Sequence, residues 1–103
     1  MTNGQYPKIQ SMRVFQWDNE KNAWLKKHRN VCFEQVVLLF ERGDVLDVIE
    51  HPNQDSYPNQ KIAIVNIDDY VYLVPYLPDG EDIVLKTIIP SRKATNQYVR
   101  YRK

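Results

Sequence analysis

The chain predicts an α+β fold, and three observations carry that expectation. Phe33, Val36, Val37 and Phe40 fall at i, i+3, i+4 and i+7 ahead of Gly43, the pattern of an amphipathic helix with a glycine stop. Beyond Gly43 the pattern changes to short apolar stretches separated by Asp-Asp and Pro-Asp-Gly, as in antiparallel strands joined by tight turns. At 103 residues, with 43% hydrophobic and 26% charged, the chain suits one domain with one core.

Residues 1–10, with Gly4 and Pro7, read as a flexible arm, and 11–103 as a single folded domain. Partial alternation from Met12 to Trp17 predicts a short first strand. Asp18 is a good N-cap for a helix over 19–29, with Glu20 in its first turn and Lys26, Lys27 and Arg29 in its last, each sign complementing the helix dipole. Trp24, Leu25 and His28 share one face of it. The second helix starts at Phe33 with Cys32 as cap. Gln35 occupies the capping-box position, Val31 can staple onto Val36, and the thiol is a poor acceptor where serine would be usual.

Strands are expected over 45–49, 61–67, 70–77 and 83–89, with the run HPNQDSYPNQ at 51–60 as a long loop. Pro75 requires an edge or a bulge where it falls, because it cannot donate to a ladder. A terminal helix, Ser91 to Lys103, places Ala94, Tyr98 and Tyr101 near one face. The architecture is thus a short N-terminal strand, two helices, a four-stranded antiparallel meander and a C-terminal helix. The two early helices cover one sheet face, leaving the other for function or a partner.

No apolar run approaches the roughly 18 residues of a membrane span. The polar N-terminus lacks the apolar core of a signal peptide, so a cytoplasmic protein is expected. One cysteine and two histidines exclude an intrachain disulfide and a multi-cysteine zinc site, and no metal or cofactor is expected. Net charge is only +1, but the cations are clustered: Lys21, Lys26, Lys27 and Arg29 early, and Arg92, Lys93, Arg100, Arg102 and Lys103 late.

The passage from Ile89 through Pro90 and Ser91 to Arg92 and Lys93 is a strand that launches a basic helix, a phosphate-sized junction. An ordinary junction with solvated charges is the plainer alternative. Tyr70, Tyr72 and Tyr76 alternate opposite Val71, Leu73 and Leu77, so on an open sheet face they could stack unpaired bases. The alternative, better for at least one of them, is that they pack against a helix with their hydroxyls wet. Lys61 and Lys86 lie on strands and His51 heads the long loop. Asp18 and Glu34 have sufficient structural reasons near helix starts.

Three motifs in order, Phe15-x-Trp17-Asp18-x-x-Lys21, Val31-x-Phe33-Glu34 before Phe40, and Ile88-Ile89-Pro90-Ser91-Arg92-Lys93-Ala94 with Tyr98, resemble the BrnT toxins of type II toxin–antitoxin systems over residues 15–98. The resemblance implies a RelE-like fold and a metal-independent ribonuclease that inhibits translation. It also implies RNA as substrate, a small DNA-binding antitoxin as partner, and operator DNA reached only through the antitoxin complex, with no membrane involvement. The chain departs from the family at Lys27-His28-Arg29-Asn30-Val31, where Lys-His-Gly-Val is usual, and at Pro90. Lys86 is the residue that can take the place of an arginine usual on the preceding strand.

RNA cleavage of this kind needs charge stabilisation at the phosphate and groups that move protons. Arg92, with its planar fork, is the first candidate for the phosphate, and Lys86 and His51 are the companion catalytic candidates. Lys61, Tyr72, Tyr76 and Lys93 are candidate RNA contacts. A non-catalytic protein-binding module of the same fold is the alternative.

Overall fold

The structure is a computed structural model and describes residues 13–100. The expected N-terminal arm, Met12 and the end of the terminal helix with Tyr101 lie outside the described residues. The elements run β1 (Phe15–Gln16), α1 (Asn19–Arg29), α2 (Phe33–Arg42), β2 (Asp47–Glu50), β3 (Lys61–Ile67), β4 (Tyr70–Asp79), β5 (Asp82–Leu85), β6 (Ile89–Pro90) and α3 (Arg92–Thr95), which continues as a π-helical turn over Asn96–Arg100. The α+β expectation therefore holds.

α1 begins where its cap predicts: Asp18 Oδ1 accepts the Glu20 N–H at 2.9 Å. It ends at Asn30, whose φ of 58° is a left-handed C-cap that asparagine tolerates. The start of α2 needs acceptors that a thiol supplies poorly. Gln35 Oε1 takes the Cys32 N–H at 2.9 Å, and the Phe33 N–H donates to Asn22 Oδ1 of α1 at 2.8 Å. Asn22, only 5% exposed, also donates from Nδ2 to Glu34 Oε1 at 2.9 Å. One carboxamide thus caps the second helix from within the first.

The sheet order is β1-β5-β4-β3-β2, with β6 also on β4. β2 to β5 form the expected antiparallel meander, and β1 adds to β5 in parallel. Asp68 and Asp69 close the β3–β4 hairpin with φ of 54° and 64°, the geometry of a type I′ turn. The expected strand over 83–89 is broken in two, for a reason set by Pro75. Tyr76 pairs with Leu85 and Leu73 with Ile89, so residues 86–88 face only 74 and 75. Pro75 C=O accepts the Lys86 N–H at 2.9 Å but has no N–H to return, and the ladder accommodates an extra residue there as a bulge.

Alternation divides the sheet's side chains between two cores. Ala63, Val65, Ile67, Val74 and Tyr76 pack with Leu25, Phe33 and Val36 beneath α1 and α2. Ile64 and Val71 pack with Ala94 of α3 on the opposite face, joined by Leu73, Tyr98 and Val99. The face expected to stay open is therefore partly covered by the C-terminal helix. Thr95, fully buried, ties that helix down: its Oγ1 accepts the Val71 N–H at 2.8 Å and donates to Ser91 C=O at 2.8 Å. Ser91 N–H in turn donates to Val71 C=O at 3.0 Å, so a side chain takes over where β6 leaves the ladder.

Two predictions follow from these buried polar groups. Asn22→Ala strands the Phe33 N–H and should lower unfolding free energy by about 1 to 3 kcal/mol in urea melts. A variant as stable as wild type would contradict the capping role. Thr95→Val should cost a comparable amount by orphaning the Val71 N–H, while Thr95→Ser, which keeps the hydroxyl, should recover most of the loss in thermal melts.

Candidate functional site

The expected site residues occupy three separate regions. On α3 and its continuation, Arg92, Lys93, Asn96 and Gln97 fall at i, i+1, i+4 and i+5 and line a cleft of about 700 Å³. Ala94 and Thr95 turn the opposite way into the sheet. Ser91 Oγ accepts the Ala94 N–H at 3.0 Å, which sets the first turn and hence the direction of Arg92 and Lys93. Among the described lining residues are two cations and two amides, and no acid. Such a row can donate to phosphate and sugar oxygens.

Lys86 sits at the start of the bulge and lines a groove of about 410 Å³ between β5 and the beginning of α1, opposite Lys21 and beside Trp17 and Asp18. Two residues on, the Ile88 carbonyl accepts a hydrogen bond from Arg29 Nη1 of α1. The register separates Lys86 from Arg92. Lys86 stands opposite Pro75, whereas Ser91 meets Val71, four residues away along β4 or about 13 Å.

At the far edge, Lys61 is held by Glu50 across the β2–β3 ladder, Nζ to Oε2 at 2.8 Å, and that carboxylate raises the lysine pKa. His51 closes the 51–60 loop on itself. Its Nδ1 accepts the Asn53 N–H at 3.0 Å, its ring stacks on Tyr57 at 4.4 Å, and its backbone N–H donates to Gln60 C=O at 3.0 Å. Because β2 lies three strands from β5, His51 is about 14 Å across the sheet from the strand that carries Lys86. Arg92, Lys86 and His51 do not converge on one point.

Tyr72 and Tyr76 require a correction. Their alternation is as expected, but it turns them toward α1 and α2 rather than toward an open face. Tyr76 is 6% exposed and meets Phe40 edge-on at 5.6 Å, and Tyr72 packs against the same core. Tyr76 thus offers no ring for base stacking, while Tyr72 is half-buried. The physical reason is that both sides of β4 are apolar enough to be covered, and the stripes of α1 and α2 claim the tyrosine side. Burial pushes both phenols up, and at Tyr76 the charges of Lys61 and Arg13 oppose that rise.

Trp24, Leu25 and His28, expected on one face of α1, divide between two sides: Leu25 is buried in the core, while the exposed Trp24 and His28 form a cluster with two cations. Lys21 Nζ lies 4.7 Å and the Arg29 guanidinium 4.9 Å from the ring centroid, and the His28 ring stacks on it at 4.6 Å. The signal available was a tryptophan among cations at helical spacing. Among the described residues, no group of three or more His, Cys, Asp or Glu could hold a metal ion, and no helix is long and apolar enough to cross a membrane. Compared with known proteins, the chain matches no family model, no curated protein and no solved structure.

The tyrosine environment predicts alkaline behaviour. A phenol raised on folding above its ordinary 10.0 contributes stability that is present below that pH and lost as pH climbs through the folded value. Melting temperature should therefore fall above about pH 10. Tyr76→Phe should narrow or reverse its stability difference from wild type over the same range; superimposable pH profiles would contradict the assignment.

Proposed function

We propose that this chain is the toxin of a type II toxin–antitoxin pair, with a RelE-like fold, and that it inhibits translation by metal-independent cleavage of RNA. The observation that carries the reading is the α3 cleft, where Arg92 and Lys93 stand with Asn96 and Gln97 and no acid among the described lining residues. In this reading the Arg92 fork holds the scissile phosphate and stabilises the charge that grows on it as the ribose 2′-oxygen bonds to phosphorus and the P–O5′ bond breaks. Water takes the 2′-OH proton and returns one to the leaving 5′-oxygen, to give a 2′,3′-cyclic phosphate and a 5′-OH. Lys93 adds a second cation, and the two amides orient the backbone. Lys86 and His51, placed elsewhere, do not act on the phosphate that Arg92 holds.

The partner in this reading is a small DNA-binding antitoxin that blocks the toxin and carries it to operator DNA. An RNA substrate goes with a cytoplasmic location. One observation favours a second reading, a non-catalytic protein-binding module: the catalytic candidates Arg92, Lys86 and His51 are dispersed over separate regions.

Controlled induction in a bacterial host separates the two. The toxin reading expects growth arrest with shortened cellular RNA, and a loss of both by at least tenfold in Arg92→Ala, the order expected when one transition-state cation is removed. Growth at the uninduced rate with intact RNA would reject the toxin reading and leave the binding module.

A further inference from the structure

We propose that α1 and the bulge of the last strand form a contact surface for single-stranded RNA, distinct from the Arg92 cleft and built from Lys21, Trp24, His28, Arg29 and Lys86. The proposal rests on the RNA-directed reading above and adds a second place where the strand is held. Trp24 is 39% exposed, yet its ring is ordered by a stacked His28 and two cations. His28 is itself held, with Nδ1 3.1 Å from the Trp24 carbonyl oxygen. The aromatic pair is thus a solvent-facing stack with two cations over the Trp24 ring, and the outer face of His28 is where a further ring can add.

Lys21 belongs to two features at once. It lies over Trp24, and it lines the groove of about 410 Å³ whose β5 side carries Lys86. Farther along α1, Arg29 ties the helix to the bulge through the Ile88 carbonyl while its guanidinium stays beside Trp24. Lys21 and Arg29 are eight residues apart, about 12 Å along the helix axis, which gives room for successive phosphates. α1 carries Lys21, Lys26, Lys27 and Arg29 against one acid, Glu20, so its complement is a polyanion.

Interleaved rings and cations favour single-stranded RNA over an acidic protein. Unpaired bases can extend a stack such as Trp24–His28 while lysine and arginine follow the phosphates. An acidic protein would use the charges and leave the stack idle, and a duplex keeps its bases paired.

The test is binding of a fluorescent 2′-O-methyl oligoribonucleotide, which resists cleavage, followed by anisotropy across a salt series. Wild type should bind with a salt-dependent affinity. Lys21→Glu with Lys86→Glu should weaken binding at least tenfold, and replacing the two cations singly by glutamine should lower the salt slope by about 0.7 each. Trp24→Ala should weaken binding roughly tenfold and Trp24→Phe less, as loss of a stacking platform requires. Thermal melts of each variant establish that the fold survives. Binding indifferent to these substitutions, or polyglutamate binding as tightly as the oligonucleotide with no effect of Trp24→Ala, would overturn the proposal. Failure of the ribonuclease reading is separately visible, because absence of cleavage on natural RNA leaves the anisotropy series intact.

Discussion

The placement of the two early helices depends on one buried carboxamide. Asn22 lies inside α1, where asparagine is a poor helix former, and it is retained there in spite of that cost because both ends of its amide are used. Its oxygen satisfies the first N–H of α2, and its nitrogen holds Glu34 in the first turn of the same helix. That hydrogen bond is the leading cause lowering the Glu34 pKa, so the carboxylate stays ionised beside the positive end of α2. With the angle between α1 and α2 fixed, Leu25, Phe33 and Val36 meet the sheet as one surface.

The second organising constraint is a missing hydrogen rather than a bond. Pro75 lies in the middle of β4, a central strand, and cannot donate toward the strand that follows β5. The bulge that results shifts the chain by one residue and frees the Ile88 carbonyl to accept Arg29. It also brings β6 back onto β4 beside Val71, where Ser91 and Thr95 start the last helix. Lys86 is consequently turned toward α1, and Arg92 is carried to the other side of the sheet. Two basic regions that could have converged are separated by this local event.

The local grammar of the chain was legible. Asp18, Gly43, the helical spacing of Phe33 to Phe40 and the paired aspartates at 68 and 69 each act within a few residues of themselves, and each element appears where those signals place it. The weak thiol at Cys32 was legible as a defect, but its remedy, Asn22, was not. Nothing within ten residues of a helix start announces a cap arriving from another helix. At the site, Arg92 and Lys93 share a cleft because they share a helix, which sequence spacing conveys. The grouping of Lys86 with Lys21, and of Arg29 with Ile88, depends on contacts between residues more than fifty positions apart.

By itself, then, the sequence determined the helices, the order of the main strands, the caps and turns between them, and that Pro75 needs either an edge or a bulge; the central position of β4 selected the bulge and split the last strand in two. Those properties follow from short-range sterics and hydrogen bonding. Only the tertiary structure decided which sheet face the tyrosines occupy, that α3 covers the other, and that the cations form separate surfaces. Alternation along β4 separates Tyr70, Tyr72, Val74 and Tyr76 from Val71, Leu73 and Leu77 but carries no sign, since both sides are apolar enough to bury. The choice was made by competition between α1–α2 and α3 for the two faces of one sheet.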